Sequence, residues 1–245
     1  MDDISCEELI CRIFADIPLS EIIRLRRESQ SMRQVLHENR ELWREKVLED
    51  VILLRHYDDI LPEDRTWYWV ALMIDKNSMI FYSNSQLYIG ELSILGVPCG
   101  DGIYITESMY CVGRFNGSKM EGTKICSNSI ERGHFIDFNL NGLGSRETKY
   151  SLSEGCWMEG MRNGYIREIN KKNNSIFEGN YNLDLRDGYG TEITREYTYA
   201  GNYYKNVRRG FGIFTWMNNG LIFIGDINSY PYRGISICNG IIDRV

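Results

Sequence analysis

Three histidines, seven cysteines and 34 carboxylates are the side chains of this 245-residue chain best suited to holding a metal or moving a proton. Their spacing points away from both. The cysteines stand at 6, 11, 99, 111, 126, 156 and 238 and never form a Cys-x-x-Cys pair, so neither a zinc site nor a disulfide framework is written into them. Odd in number and scattered, they fit a reducing compartment. His37 and His56 fall in a helical region and His134 on the polar side of a strand, where a solvated imidazole is the ordinary outcome. Asp187-Gly-Tyr-Gly190 has the glycines of a phosphate loop without the following helix or the Lys-Ser/Thr that would hold a phosphate. Gly142-x-Gly144 has no βαβ unit around it, and the acidic residues are dispersed rather than gathered as a cation requires. The expectation is a chain with no catalytic residue, no metal and no cofactor.

Charge narrows the partners. The net charge is -6, and residues 1–60 alone hold nine Lys/Arg against fourteen Asp/Glu, a balance of -5. Neither part has the basic footprint of a nucleic-acid binder. Arg24, Arg26 and Arg27 read as the solvated face of a helix. No apolar leader and no 18-residue apolar run is present, so the expectation is a soluble intracellular protein.

What positions these residues is a repeat. The 23 glycines all fall at or after Gly90. Around them align Tyr88-Ile-Gly90-Glu-Leu92, Cys111-Val-Gly113-Arg-Phe115, Glu131-Arg-Gly133-His-Phe135, Ser153-Glu-Gly155-Cys-Trp157, Phe177-Glu-Gly179-Asn-Tyr181, Tyr199-Ala-Gly201-Asn-Tyr203 and Phe223-Ile-Gly225-Asp-Ile227. A second glycine follows nine residues later in six units (Gly122, Gly142, Gly164, Gly188, Gly210, Gly234) and ten later in the first (Gly100). With a strand period of two, the first, third and fifth residues share a face that reads large, Gly, large. The glycine leaves room for a neighbouring ring or backbone. Asn116-Gly117, Asn141-Gly142, Asn163-Gly164 and Asp187-Gly188 are the expected turns, and Gly-x-Gly opens the return strand. One hairpin cannot bury its own face, so seven stack, giving fourteen strands over residues 86–245. The large residues become the core of that array, while Glu91, Arg114, Arg132, Glu154, Glu178, Asn202 and Asp226 occupy the opposite face.

These segments resemble MORN repeats, whose pattern is close to Tyr-x-Gly-x-Trp, a turn, then Gly-x-Gly. The resemblance is best in the fifth and sixth units and departs in the third, where Glu131 takes the first aromatic position, and in the seventh at Ile227 and Ser236. Gly90, Gly113, Gly133, Gly155, Gly179, Gly201 and Gly225, with Trp157, Tyr181 and Tyr203, are then the structural residues of the repeat.

Residues 1–50 read as a bundle of short helices. Ser5-x-x-Glu8 is a capping box ahead of Leu9, Ile10, Ile13, Phe14 and Ile17 at helical spacing, in a helix stopped by Pro18. Ser20 is the expected cap of a second helix, Met32, Val35 and Leu36 mark a third, and Asn39 caps a fourth that buries Leu42, Trp43 and Val47. The run from Glu8 to Leu19, with Leu25-Arg26, Ser29 and Leu42-Trp43-Arg44, resembles an F-box, although Ser5-Cys6 replaces the family's leading Leu-Pro. That resemblance implies docking to a Skp-family adaptor of a cullin-type ubiquitin ligase through Leu9, Ile10, Phe14, Pro18 and Leu19. Residues 51–85 read as a connector, with a helix started by Pro62 that carries Trp67, Tyr68, Trp69, Ala71, Leu72 and Met73 onto the first hairpin as a cap, then a strand from Met79 to Tyr82.

The fold class expected is α+β: a small N-terminal helical bundle followed by an elongated antiparallel hairpin ribbon. The function expected is that of a non-enzymatic interaction adaptor joining an unknown target to a ubiquitin ligase. Proteins combining an F-box-like segment with MORN repeats are frequent in large DNA viruses of amoebae, and the chain resembles those, which implies action in a host cell's cytoplasm or nucleus, or in the virion. The competing reading is a structural scaffold or virion component that self-associates through the ribbon. Mixed charge on the polar face makes membrane binding the weakest of the readings.

Overall fold

The computed structural model describes residues 6–37, 39–50, 66–75, 79–83, 85–228, 233–238 and 241–244. The chain is α+β: a small helical region comes first, and an open, all-antiparallel sheet with its strands in chain order follows. It divides into two compact units, Met1–Gly117 and Ser118–Val245.

The first unit holds α1 (Cys6–Phe14), α2 (Leu19–Glu28), α3 (Gln30–His37), α4 (Arg40–Asp50) and α5 (Trp67–Asp75), then β1 (Met79–Ser83), β2 (Gln86–Leu92), β3 (Pro98–Thr106) and β4 (Met109–Asn116). Asn39 caps α4 as expected, its Oδ1 accepting from the Leu42 amide at 2.9 Å. The cap of α2 is Pro18 rather than Ser20, which lies inside the helix. Proline lacks the amide a helix start would leave unpaired, so it suits that position. Ser29 caps α3, its hydroxyl accepting from the Met32 amide. The expected cap Ser5 and helix start Pro62 lie outside the described residues; the described α5 begins under a Thr66 cap. Ile22, Ile23, Leu36, Leu42, Trp43, Val47, Val70 and Ala71 form the core. Ile13 of α1 and Val35 of α3 stand outside it, 60% and 44% exposed. α5 packs on α2, α4 and β2, with Tyr68 lying 4.8 Å from Trp43 and under the Arg26 guanidinium. Arg26 is therefore a stacked, half-buried residue rather than a solvated one.

The second unit consists of β5 (Lys119–Cys126), β6 (Ser129–Ile136), β7 (Asn139–Thr148), β8 (Ser151–Met158), β9 (Met161–Asn170), β10 (Ser175–Asn182), β11 (Leu185–Ile193), β12 (Tyr197–Tyr204), β13 (Val207–Trp216), β14 (Ile222–Asp226), β15 (Arg233–Cys238) and β16 (Ile241–Arg244). Twelve strands at about 4.8 Å spacing run for about 50 Å. The expected fourteen repeat strands are all present; with β1, foreseen at Met79–Tyr82, and β16, which was not foreseen, the described residues hold sixteen.

A row of glycines crosses this sheet from strand to strand. Gly122 faces Gly133, Gly133 faces Gly144, and Gly144 faces Gly155. Ile166 interrupts the row in β9, after which Gly179, Gly190, Gly201, Gly212, Gly225 and Gly234 continue it. In the first unit the same row runs Gly90, Gly102, Gly113.

Three of the four expected turns are corrected here, while Gly117 of the fourth does stand in a turn. In the second unit Asp137-Phe138, Glu159-Gly160, Leu183-Asp184 and Lys205-Asn206 are tight turns with positive φ at both positions, and Ser127-Asn128 is a further one without it. Asn141-Gly142, Asn163-Gly164 and Asp187-Gly188 lie inside the return strands, in bulges. Tyr181 pairs with Arg186 and Gly179 with Gly190, so Asp187, Gly188 and Tyr189 all stand against Asn180 alone. Gly188 has φ +100°, a conformation that favours glycine. The residue at the second turn position ties its hairpin to the one before. Asp184 donates its amide to the Arg162 carbonyl and accepts from the Arg162 amide at 3.0 Å; Asn206 does the same with Arg186. Short polar side chains tolerate positive φ, which reconciles these turns with their sequence.

Bulge and glycine row together crease the sheet. Arg186 and Glu192 are six residues apart on β11, about 20 Å if extended, yet their side chains meet at 3.1 Å. Phe177 and Tyr181, four apart on β10, have ring centroids 5.4 Å from each other, and Tyr199 and Tyr203 on β12 5.5 Å. The two halves of each hairpin thus face one another across the row. Burying one such ring contributes about 2–3 kcal/mol.

Candidate interaction surfaces

The inner side of the crease carries the densest polar chemistry of the second unit. Lys124 Nζ lies 2.6 Å and Arg146 Nε 2.7 Å from the buried Glu131 carboxylate. Further along, Glu168 pairs with Arg162 and Arg186, and Glu192 with Arg186 and Arg208. The guanidiniums lie over rings: Arg162 over Tyr181 at 4.6 Å, Arg186 over Phe177 at 4.1 Å and Arg208 over Tyr199 at 5.0 Å. Tyr181 donates to Glu168 at 2.6 Å and Tyr203 to Glu192 at 3.3 Å.

The ionisations of Glu168 and Glu192 and of their tyrosine and arginine partners are pinned. Burial opposes the charge on Glu168, but the Tyr181 hydroxyl and two guanidiniums hold its pKa below the ordinary carboxylate value. Glu192 is lowered likewise, burial being outweighed by Arg208 and Arg186. Burial and the Glu168 charge push Tyr181 up to about 12, and burial with the Glu192 charge raises Tyr203. Burial works against the charges on Arg186 and Arg208, yet their carboxylate and tyrosine partners keep both guanidiniums protonated. A general acid or base works best with a pKa near the working pH, and the shifts in this ladder run the other way. Among the described residues no three of His, Cys, Asp and Glu come together as a metal site would need, and no helix is long and apolar enough to cross a membrane. His134 is exposed beside Glu121; His56 lies outside the described residues.

The repeat residues sit where the spacing placed them. Trp157, Tyr181 and Tyr203 are buried on the inner side. Gly133, Gly155, Gly179, Gly201 and Gly225 form the row with the glycines of their neighbours, as Gly90 and Gly113 do in the first unit. The first aromatic of a unit lies across the row: a Cβ on Gly190 would meet Phe177 Cζ at 2.5 Å, and one on Gly201 would meet Tyr199 Oη at 2.3 Å. The sequence missed the basic members of the ladder, because Arg162, Arg186 and Arg208 sit in strand positions that elsewhere carry Met120 or Leu140. Their spacing of 24 and 22 residues was the available signal.

The expected adaptor-docking residues separate. Phe14 and Leu19 are buried, 5% and 6% exposed, and belong to the helical core. Pro18 is exposed and Ile10 half-buried; the side chain of Leu9 lies outside the described residues. Ile13 is an apolar residue that α1 offers to solvent.

The outer side of the crease is also different from expectation. Besides the mixed charges it carries Leu143, Tyr165, Tyr189 and Phe211, which are 66%, 57%, 57% and 64% exposed. Each is the residue just before the row position of its return strand. No protein-family model and no curated protein sequence matches this chain.

Proposed function

We propose that the chain is a non-enzymatic protein–protein interaction adaptor: its helices dock a Skp-family adaptor of a cullin-type ubiquitin ligase, and its hairpin array holds a target. The observation that carries the non-enzymatic part is the pinned ladder, where carboxylates are held ionised and tyrosines held protonated in the most polar interior of the molecule. Such a network rigidifies a surface and is poorly suited to passing protons. Catalysis would be borrowed from the ligase by proximity.

Docking runs through Ile10, Ile13 and Pro18, since Phe14 and Leu19 are occupied in the core. The test is recovery of a purified Skp-family adaptor on the immobilised chain, with Ile13→Glu as the variant. Wild type should retain the adaptor and Ile13→Glu should lose it with the helical circular dichroism unchanged. Failure of the wild type to retain it ends the ligase reading. The scaffold reading would then stand, favoured by the exposed row of Leu143, Tyr165, Tyr189 and Phe211.

A further inference from the structure

The inner side of the crease has its own rings and ion pairs for occupants. On the outer side, beside the ion pairs of Arg167 with Glu154 and Glu178, a row of large apolar side chains stays uncovered. Leu143 of β7, Tyr165 of β9, Tyr189 of β11 and Phe211 of β13 lie opposite Cys156, Asn180, Asn202 and Asp226 on the strands between them. They form a line crossing the strands, one large apolar group every second strand, about 10 Å apart. The bulges hold them there: each follows a positive-φ glycine, Gly142, Gly164, Gly188 or Gly210. The ridge is thus as rigid as the sheet and needs no ordering to bind.

We infer that this ridge is the face through which two copies of the chain pair, their ridges running antiparallel about a two-fold axis at β10. Area is the first argument. A bare aromatic side chain offers about 150–250 Å², so at these exposures the four leave about 450 Å² uncovered. A symmetric pair would cover twice that, and the half-exposed Ile193 and Ile213 on the same face carry the total past the roughly 1,000 Å² expected of a specific interface.

Period is the second argument. Another copy has the same spacing between large groups, so contacts that match at one hairpin match at all four, as an isologous interface demands.

Charge sets the direction. Asp187, Arg209, Asp226 and Arg233 flank the Phe211 end, and Glu121, Arg132, His134 and Glu154 flank the Leu143 end. Parallel ridges would bring each of these charges to its own copy, a like-charge contact that costs binding. Antiparallel ridges about β10 set β6 against β14 and β5 against β15, so His134 faces Asp226 and Glu121 faces Arg233 of the other copy, while Glu178 on the axis is paired with Arg167 at 2.9 Å.

The proposal does not rest on the ligase reading, and its test uses a different readout. Sedimentation equilibrium of the full chain over a micromolar concentration series should give twice the monomer mass for wild type. Tyr189→Arg and Phe211→Ser should each lose the dimer, with far-ultraviolet circular dichroism unchanged because both side chains are exposed in the single copy. Ile94→Ser, at an exposed apolar residue of the first unit, should leave the dimer intact. In the antiparallel pair Cys156 of β8 meets position 202 of β12 in the other copy. Asn202→Cys should therefore give an interchain disulfide under copper-phenanthroline oxidation, lost when Cys156→Ser is added. A monomer at every concentration overturns the inference, as does a dimer that survives both ridge substitutions. A cross-link that persists with Cys156→Ser overturns the antiparallel arrangement.

Discussion

The third and fourth hairpins differ from the fifth and sixth most plainly at the first large residue of the unit. In the fifth and sixth it is Phe177 or Tyr199, and the ring spans the glycines of both strands of its hairpin. In the third and fourth it is Glu131 or Ser153. The backbone there still follows the glycine row, with the same two extra residues on the return strand. What changes is the filling. Leu140 reaches over Gly144, where a Cβ would come within 2.8 Å of its Cδ2. Ile166 takes the row position of β9 and lies 3.1 Å from where a Gly155 Cβ would stand. Glu131 is buried between Lys124 and Arg146 instead of stacking. The crease is therefore set by glycine and bulge, and the large residue is interchangeable wherever volume and charge are both satisfied.

That comparison breaks most readily at Glu131. Glu131→Ala leaves Lys124, 12% exposed, and Arg146 without their shared counter-ion, and it should cost about 3–5 kcal/mol in urea unfolding. A loss under about 1 kcal/mol would mean that the third hairpin holds its shape without a filler. The shared part of the comparison, the row, is tested by Gly179→Ala. Its Cβ would sit 2.5 Å from the Gly190 Cα and 2.8 Å from the Tyr189 carbonyl oxygen, backbone that cannot step aside, at a cost of about 2–3 kcal/mol. Gly210→Ala meets nothing within 4 Å but keeps φ +74°, so only the conformational cost of about 1–2 kcal/mol applies. Equal effects at the two sites would separate the crease from the row. A smaller effect belongs to Glu192→Gln, expected to lose about 1–2 kcal/mol at pH 7. The Glu192 pKa is lower folded than unfolded, so its contribution is complete above the ordinary value of about 4.3 and fades as pH falls through the folded value. Wild type and variant should accordingly converge in stability at acid pH; a difference that persists there would assign the loss to packing.

The sheet was legible because its period is carried by glycine, which no other residue imitates. Every expected repeat strand is found, and so are the buried rings. Three of the turns were misread for an identifiable reason: Asn-Gly and Asp-Gly suit any backbone with positive φ, whether it closes a hairpin or forms a bulge. Leu183-Asp184 and Lys205-Asn206 carry no such signature, and their conformation depends on the hydrogen bonds that Asp184 and Asn206 make to the preceding hairpin, which no local pattern encodes. The exposed ridge escaped notice because three of its four residues, Leu143, Tyr189 and Phe211, stand between two glycines, where a residue reads as filler. In the helical region the type of each apolar residue was visible but not its direction. Phe14 and Ile13 are adjacent and equally apolar, and only the packing of α4 against α1 sends one inward and leaves the other to solvent.

The finest difference lies between the fifth and sixth hairpins themselves. Tyr199 donates its hydroxyl to the carbonyl of Asn202, three residues on, at 3.2 Å, and Tyr88 in the first unit does the same to Glu91 at 3.0 Å. Phe177 lies across the same pair of glycines, 1% exposed, with edge contacts to Tyr181 and Tyr203, but has no hydroxyl to donate. If ring position is dictated by the glycine row, Phe177→Tyr places its hydroxyl at the Asn180 carbonyl, because that residue stands to Phe177 as Asn202 does to Tyr199. The bond should add about 0.5–1 kcal/mol to unfolding in urea. A hydroxyl left buried without a partner would instead cost about 1–3 kcal/mol, so the sign alone decides. Destabilisation would show that the ring of the fifth hairpin is held by its aromatic neighbours and the Arg186 guanidinium rather than by the glycines beneath it.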